Sequence, residues 1–257
     1  MSPARGRRVA LTHVPSPNMQ EYERTFVGDA TINLALANRQ HAAYCDALRA
    51  CGADVTTLDV NRALPDCVFI EDTAIVLDEV AVMMSPGAES RRPEPAGIEP
   101  VLRQYRRVEH VRLPATVDGG DVVVNGRDVY VGQSPRTNAA ALDALRDILD
   151  PLGYRVTGVG VHGCLHLKTA CSALPDGQLL VNADWIDASA LRGELVPVTE
   201  AWSGDVLVIG RRVVASDVFP GTSRRLEELG LEVIPVDVSE FAKAEGGVTC
   251  LSLVFNG

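Results

Sequence analysis

Cys250 follows Gly246-Gly247-Val248-Thr249 and precedes the apolar run Leu251-Ser252-Leu253-Val254-Phe255. A thiol there is presented at the rim of a strand, on backbone that a double glycine lets bend sharply, rather than packed inside a helix as filler. Two other segments hold groups that complement it, Asp118-Gly119-Gly120-Asp121 and His166-Leu167-Lys168-Thr169. Thiol, imidazole and carboxylate are the parts of an activated-nucleophile site. A lone thiol with a pKa of about 8.5 is only a few per cent thiolate near neutrality, so something cationic must help it, and a bound guanidinium is one candidate. Imidazole titrates near working pH, which suits His166 to protonating a departing amine and then taking a proton from water. Asp118 is placed to fix the tautomer of that imidazole, although Asp-Gly-Gly-Asp also reads as an ordinary turn.

Asp66, Glu71 and Asp72 lie among Val68, Phe69, Ile70, Ala74, Ile75 and Val76. Charges set in a buried-looking stretch need partners. A substrate guanidinium would supply paired hydrogen bonds, and a structural arginine would do the same. Arg91 and Arg136 each follow a turn-like pair, Pro86-Gly87 and Ser134-Pro135, and bidentate arginine suits a carboxylate. His162, Cys164 and His166 alternate, so on a strand they would share one face, which invites a metal site with Cys171 as fourth ligand. The spacing matches no familiar zinc pattern, and no metal is expected. Gly158 to Gly163 satisfies GxGxxG by count, but "CLHLKTAC" after it reads as a strand rather than the helix a pyrophosphate needs, so no dinucleotide or other cofactor is expected.

The elements that must position these groups form a repeat. "DGGDVVVNGRDVYVG" (118–132) resembles "WSGDVLVIGRRVVAS" (202–216), each a strand, a two-residue turn at Asn125-Gly126 or Ile209-Gly210, and a strand. "EDTAIVLDEVAVMMSPG" (71–87) has the same outline with its turn at Asp78-Glu79, and "LHLKTACSALPDGQLLVN" (165–182) turns at Pro175-Asp176-Gly177. "GGVTCLSLVF" closes the series as half a unit, completed by the N-terminal "RRVALTHVP". Helical spacing follows over 38–51, 94–104, 138–149 and 222–229, and strand-like pieces such as "ADVTTLDV", "YRVTGVGV" and "LEVIPVDV" come next. Hairpin, helix, strand recurring about five times predicts radial closure. Asp72, Asp121, Lys168, Asp205 and Cys250 hold comparable positions in their units, which predicts that they gather around one pocket.

The 257 residues show no linker and read as a single domain over 1–257. No apolar run is long enough to span a membrane. The basic stretch Met1 to Arg8 lacks the apolar segment of a secretory signal, so a cytoplasmic protein is expected. Six cysteines without a CxxC do not form a disulfide framework. A net charge of −10 argues against nucleic acid and suits a small cationic substrate.

The segments "LPDCVFIEDTAIV", "PGAESRR", "DGGDVVV", "RTNA", "LHLKTACSALPDG" and "GGVTCLS" resemble the dimethylarginine dimethylaminohydrolase family, within the guanidine-modifying penteins. The resemblance runs from about residue 41 to the end and implies an α/β fold, a five-bladed ββαβ propeller with a central active-site pocket. It implies Cys250 as nucleophile, His166 as proton-transfer residue and Asp118 as its orienting carboxylate. Asp66, Glu71 and Asp72 would hold cationic nitrogens of the substrate, with Phe69 beside them, and Arg91 and Arg136 would clamp its α-carboxylate. Main-chain carbonyls near Met19 and Ala244 would receive the α-amino group; methionine stands at position 19 where the family pattern has leucine. Arginine deiminases carry aspartate two residues after the histidine, where this chain has Lys168, and that difference favours a dialkylated arginine over free arginine. The expected reaction converts an Nω-methylated arginine to citrulline and a methylamine without cofactor, in a protein that resembles homodimeric relatives. A hydrolase or amidinotransferase for another guanidino compound is the alternative within enzymes, and a non-catalytic pentein binding module the alternative outside them.

Overall fold

The computed structural model describes residues 6–257, so the first five residues of the basic N-terminal stretch lie outside it. Strand β1 (Arg8–His13) is followed by a long loop, helix α1 (Leu34–Ala50) and β2 (Ala53–Leu58), which lies parallel to β1. The pattern then recurs. Antiparallel β3 (Ala74–Val76) and β4 (Ala81–Met83) are followed by α2 (Glu94–Leu102) and β5 (Val108–His110), parallel to β4. Next come β6 (Val122–Asn125), β7 (Asp128–Gln133), α3 (Ala140–Leu149) and β8 (Arg155–Gly160), paired in the same way. A single helical turn, α4 (Leu167–Ala170), leads into β9 (Cys171–Ala173) and β10 (Leu179–Val181); β11 (Leu195–Pro197) returns parallel to β10 after a 3-10 turn instead of an α-helix. The last full unit is β12 (Val206–Ile209), β13 (Arg212–Ser216), α5 (Pro220–Glu228) and β14 (Glu232–Val236). After the short helix α6 (Ser239–Ala242), β15 (Ser252–Asn256) pairs antiparallel with β1 and completes the first sheet. Five three-stranded sheets result, the ββαβ blades of a five-bladed propeller.

The hairpin turns fall where the sequence places them, with Gly126 and Gly210 in the left-handed region at φ of 62° and 67°. Helix starts differ by a few residues because asparagine side chains cap them. Asn33 accepts from the Leu36 N–H at 3.1 Å, so α1 begins at Leu34 rather than Asn38. Asn138 accepts from the Ala141 N–H at 3.2 Å, outside α3 rather than within it. The core lies where each crossover helix covers its blade. Ala141, Leu145 and Leu149, four residues apart on α3, are fully buried and pack with Val129, Val131 and Val156. Truncating such a leucine to alanine costs about 3 kcal/mol in a core of this kind. Among the described residues no helix is long and apolar enough to cross a membrane.

Asp72, Asp121, Asp205 and Cys250 each lie one or two residues before the first strand of a blade, as the repeat predicts. They do not all face one pocket. The axis is divided into two compartments: a channel of about 520 Å³, bordered by Glu71, Lys168, Tyr154, Thr249 and Asn256, and a small cavity that Asp72 and Cys250 share.

Candidate active site

The small cavity, about 20 Å³, is lined by Cys250, His166, Asp72, Asp66, Arg91 and Arg136 together with Phe69, Ala244 and Glu245. The sequence separates these residues by up to 184 positions, and blade closure brings them together. Cys250 stands in the turn before β15, part-exposed to the cavity, and its sulfur accepts from the Gly247 N–H at 3.4 Å. Burial pushes the thiol's pKa well up, and the nearby carboxylates of Asp205, Glu71 and Asp72 push it the same way. Cys250 therefore rests as a neutral thiol.

His166 directly precedes α4 and is 4 % exposed. Its Nε2 meets Asp118 Oδ2 at 3.0 Å, and its Nδ1 lies 3.9 Å from Asp72 Oδ1. With Nε2 tied to Asp118, Nδ1 is the nitrogen left to move protons. Burial disfavours the imidazolium, but Asp72, the Asp118 hydrogen bond and Asp121 outweigh it and raise the pKa to about 9. Asp118 is fully buried and held from its other side by the Gly87 N–H at 2.9 Å. Gly120 explains the second glycine of Asp-Gly-Gly-Asp: a Cβ there would sit 2.6 Å from His166 Nδ1 and 2.8 Å from Asp72 Oδ1. Its amide instead donates to Asp72 at 2.9 Å.

Asp121 does not line the cavity. It accepts from Ser134 Oγ at 2.5 Å, Thr137 Oγ1 at 2.6 Å and the Leu167 N–H at 2.9 Å, and so fixes the loop that carries His166. Burial lifts its pKa to about 6.

Arg91 is buried, not solvated. It donates to Asp72 at 2.6 Å, to Glu94 at 3.1 and 2.8 Å, and to the Phe69 carbonyl at 3.0 Å. Four of its five N–H groups are thus engaged, which leaves one Nη1–H for a ligand. Asp72 is the carboxylate kept ionised: burial opposes its charge, but His166, Arg91 and the Gly120 amide hold its pKa down to about 2. Asp66 behaves oppositely, its carboxyl raised by burial despite Arg91 and the Glu23 amide.

Two substrate-binding expectations are not met in this arrangement. Glu71 faces the channel, where its Oε1 receives Lys168 Nζ at 2.6 Å. Glu71 and Asp72 are neighbours in one 3-10 turn (Ile70–Thr73), and that tight turn sends their carboxylates to opposite compartments. Met19 is 1 % exposed and packs among Tyr22, Phe69, Phe241 and Ala244; its carbonyl accepts the Tyr22 N–H at 3.3 Å and does not border the cavity. The strand read over "CLHLKTAC" (164–171) is also absent up to Ala170: residues 163–166 bend, and Leu167–Ala170 forms a helical turn. His162, Cys164, His166 and Cys171 do not converge. Among the described residues the one group whose ligand atoms lie within 4.8 Å of each other is Asp72, Asp118 and His166. Arg91, Gly120 and Gly87 already occupy its carboxylates.

A family model described as "N,N dimethylarginine dimethylhydrolase, eukaryotic" matches residues 14–196. The N(G),N(G)-dimethylarginine dimethylaminohydrolase of Streptomyces coelicolor is 42 % identical over 246 residues, 95 % of each chain. The chain belongs to the dimethylarginine dimethylaminohydrolase family. The family's enzyme from Pseudomonas aeruginosa is 34 % identical over 226 residues, 86 % of this chain and 89 % of that one. A solved dimethylarginine dimethylaminohydrolase structure from the same organism, a cysteine-to-serine variant complexed with citrulline, superposes with a TM-score of 0.88 at 30 % identity over 96 % of this chain and 98 % of that one.

Within this site, sequence reasoning passed over Glu23, Glu245, Thr137 and Ser134. Glu23 borders the cavity, receives Ser90 Oγ, and donates its own N–H to Asp66 Oδ2 at 3.1 Å. Glu245 immediately precedes the glycine pair that flags Cys250, and that position was the available signal.

Proposed function

We propose that this protein hydrolyses Nω-methylated arginine to citrulline and a methylamine, with Cys250 as nucleophile. One observation carries the reading: a neutral thiol, an imidazolium oriented by Asp118 and the ionised Asp72 meet in one enclosed cavity. A guanidinium entering there supplies the positive charge that the carboxylates around Cys250 favour, and it offsets their effect on the thiol. As the guanidinium binds, the Cys250 thiol gives its proton to solvent, since the His166 imidazolium is already fully protonated, and the resulting thiolate attacks the guanidinium carbon. His166 gives its Nδ1 proton to the departing amine, the C–N bond breaks, and a covalent thiouronium remains on sulfur. His166, now neutral, takes a proton from water as hydroxide adds to the same carbon; the C–S bond breaks, and citrulline and the thiol are released. No cofactor enters the scheme.

Asp72 and Asp66 are assigned to substrate nitrogens, Arg136 and the remaining Arg91 N–H to the α-carboxylate, and the Ala244 carbonyl to the α-amino group. Phe69 walls the cavity. The space beside Cys250 admits a water but not an amino acid, so the loop over it must open for substrate to enter. A cytoplasmic location and a homodimeric state accompany this reading; cell fractionation and analytical ultracentrifugation test them.

The deciding experiment is mass spectrometry of products after separate incubations with asymmetric dimethylarginine, monomethylarginine and arginine. Citrulline is expected from the methylated substrates. Its absence from all three defeats the reading, and an amidino group found on an added amine makes the protein a transferase instead.

A further inference from the structure

The loop between β1 and α1 crosses the cavity mouth, and its contacts fall on residues assigned to substrate. The Glu23 N–H donates to Asp66 at 3.1 Å, and Thr25 Oγ1 receives Arg136 Nη2 at 2.9 Å. A third attachment involves neither. The carboxylate of Glu245 accepts three consecutive loop amides, from Thr25 at 2.9 Å, Phe26 at 2.5 Å and Val27 at 3.1 Å. Glu245 is 5 % exposed, and among the described residues no lysine, arginine or histidine pairs with it. A buried carboxylate without a cation needs charge-assisted hydrogen bonds, and here the loop amides supply them. The Glu245 backbone lies in the left-handed region at φ 62°, which a side-chain-bearing residue rarely adopts unless its surroundings hold it. Glu245 also borders the cavity, between Ala244 and the glycines that lead to Cys250.

We infer that Glu245 is a positioning residue that clamps Thr25–Val27 over the bound substrate and, through Thr25, aims Arg136 at the α-carboxylate. The clamp makes the enzyme selective for guanidines that carry an amino-acid end. The inference rests on the methylarginine reading above, because it takes Arg136 as the carboxylate's partner. Bonds to Asp66 and Arg136 can be exchanged between loop and substrate as the site fills, whereas the three amides return to Glu245 once the loop has closed. Loop closure and recognition of the amino-acid end thereby become one event.

The test compares wild type with Glu245→Gln, in which an amide NH₂ replaces one acceptor oxygen and opposes the loop N–H groups. Two substrates are used: asymmetric dimethylarginine, and an N,N-dimethyl-N′-alkylguanidine that lacks the α-amino and α-carboxylate groups. The ratio of kcat/KM for the amino acid to that for the alkylguanidine is expected to drop at least tenfold, chiefly through KM for the amino acid. Hydrogen exchange at residues 25–27 is expected to speed up at least tenfold, with β6 to β8 unchanged. An unaltered ratio, or unchanged exchange at 25–27, overturns the inference. Should Glu245→Gln fail to fold, Glu245→Asp, which keeps the charge but shortens the reach, is read by the same two measurements. A wild-type protein that makes no citrulline defeats the methylarginine reading instead, and the exchange measurement then decides the clamp by itself.

Discussion

Asp118→Asn is nearly isosteric, yet it should disable proton transfer. The Gly87 N–H donates to Asp118 Oδ1 at 2.9 Å, so in the variant the amide oxygen is claimed by that bond and the NH₂ faces His166 Nε2, 3.0 Å away in the native protein. Two donors cannot share that contact. Nε2 must therefore be unprotonated, and the imidazole becomes neutral with its hydrogen on Nδ1. Such a ring cannot give up that hydrogen without becoming an anion, so it fails as the acid for the leaving amine.

The magnitude follows from the native geometry. His166 titrates at about 9 against 6.5, a lift worth roughly 3 kcal/mol at 1.36 kcal/mol per unit. Asp72 stays in the variant, so only part of that lift disappears; the loss of the general acid dominates, at about 10²–10⁴-fold in kcat. The assay is citrulline formation from asymmetric dimethylarginine between pH 6 and 10. Wild-type kcat/KM should fall as pH rises through about 9, because the free enzyme's acid is then lost, and the variant's fall should move to lower pH. Stability carries the same sign. The folded-state pKa lies above 6.5, so the imidazolium's contribution is complete below 6.5 and vanishes as pH climbs through 9. The variant's deficit in melting temperature should accordingly shrink between pH 6 and pH 10. A kcat within threefold of wild type with its basic limb unmoved would refute the assignment of Asp118.

Cys250→Ser should abolish citrulline production while circular dichroism and melting temperature stay close to wild type; near-normal turnover would end the nucleophile assignment. Lys168→Met strands Glu71 as a buried charge and should destabilise the fold by about 3–5 kcal/mol in urea titrations, with most of it recovered in the double variant that adds Glu71→Gln. Asp205→Asn removes the carboxylate that weighs most on the Cys250 thiol but keeps an acceptor for the Thr249 N–H, 2.9 Å away. Iodoacetamide should then alkylate Cys250 several-fold faster at pH 8, and an unchanged rate would discount that carboxylate's influence.

The blades were legible because each hairpin carries its own turn chemistry and each helix its own apolar spacing. The matching Gly120-Asp121 and Gly204-Asp205 pairs indeed open β6 and β12. Cys250, His166 and Asp118 were legible for a related reason: glycines and breaks in pattern mark places where backbone must pass close to a reacting group. Direction was not. Glu71 and Asp72 differ by one residue, and only the 3-10 turn between Phe69 and Ala74 determines that one meets Lys168 while the other meets Arg91. Alternation at His162, Cys164 and His166 suggested a shared face, but the segment bends because Asp121 captures the Leu167 N–H and starts a helical turn. Nor could the loop's dependence on Glu245 be read from 220 positions away, since nothing in either segment alone announces the other.

The ring of blades is zipped by β15 against β1, and the Cys250 sulfur sits two residues before that zipper begins. Unfastening this single seam would displace Cys250 while the four other sheets remained paired. Heat or denaturant should consequently silence turnover before most secondary structure melts, so loss of activity reports the seam and far-ultraviolet ellipticity reports the remainder.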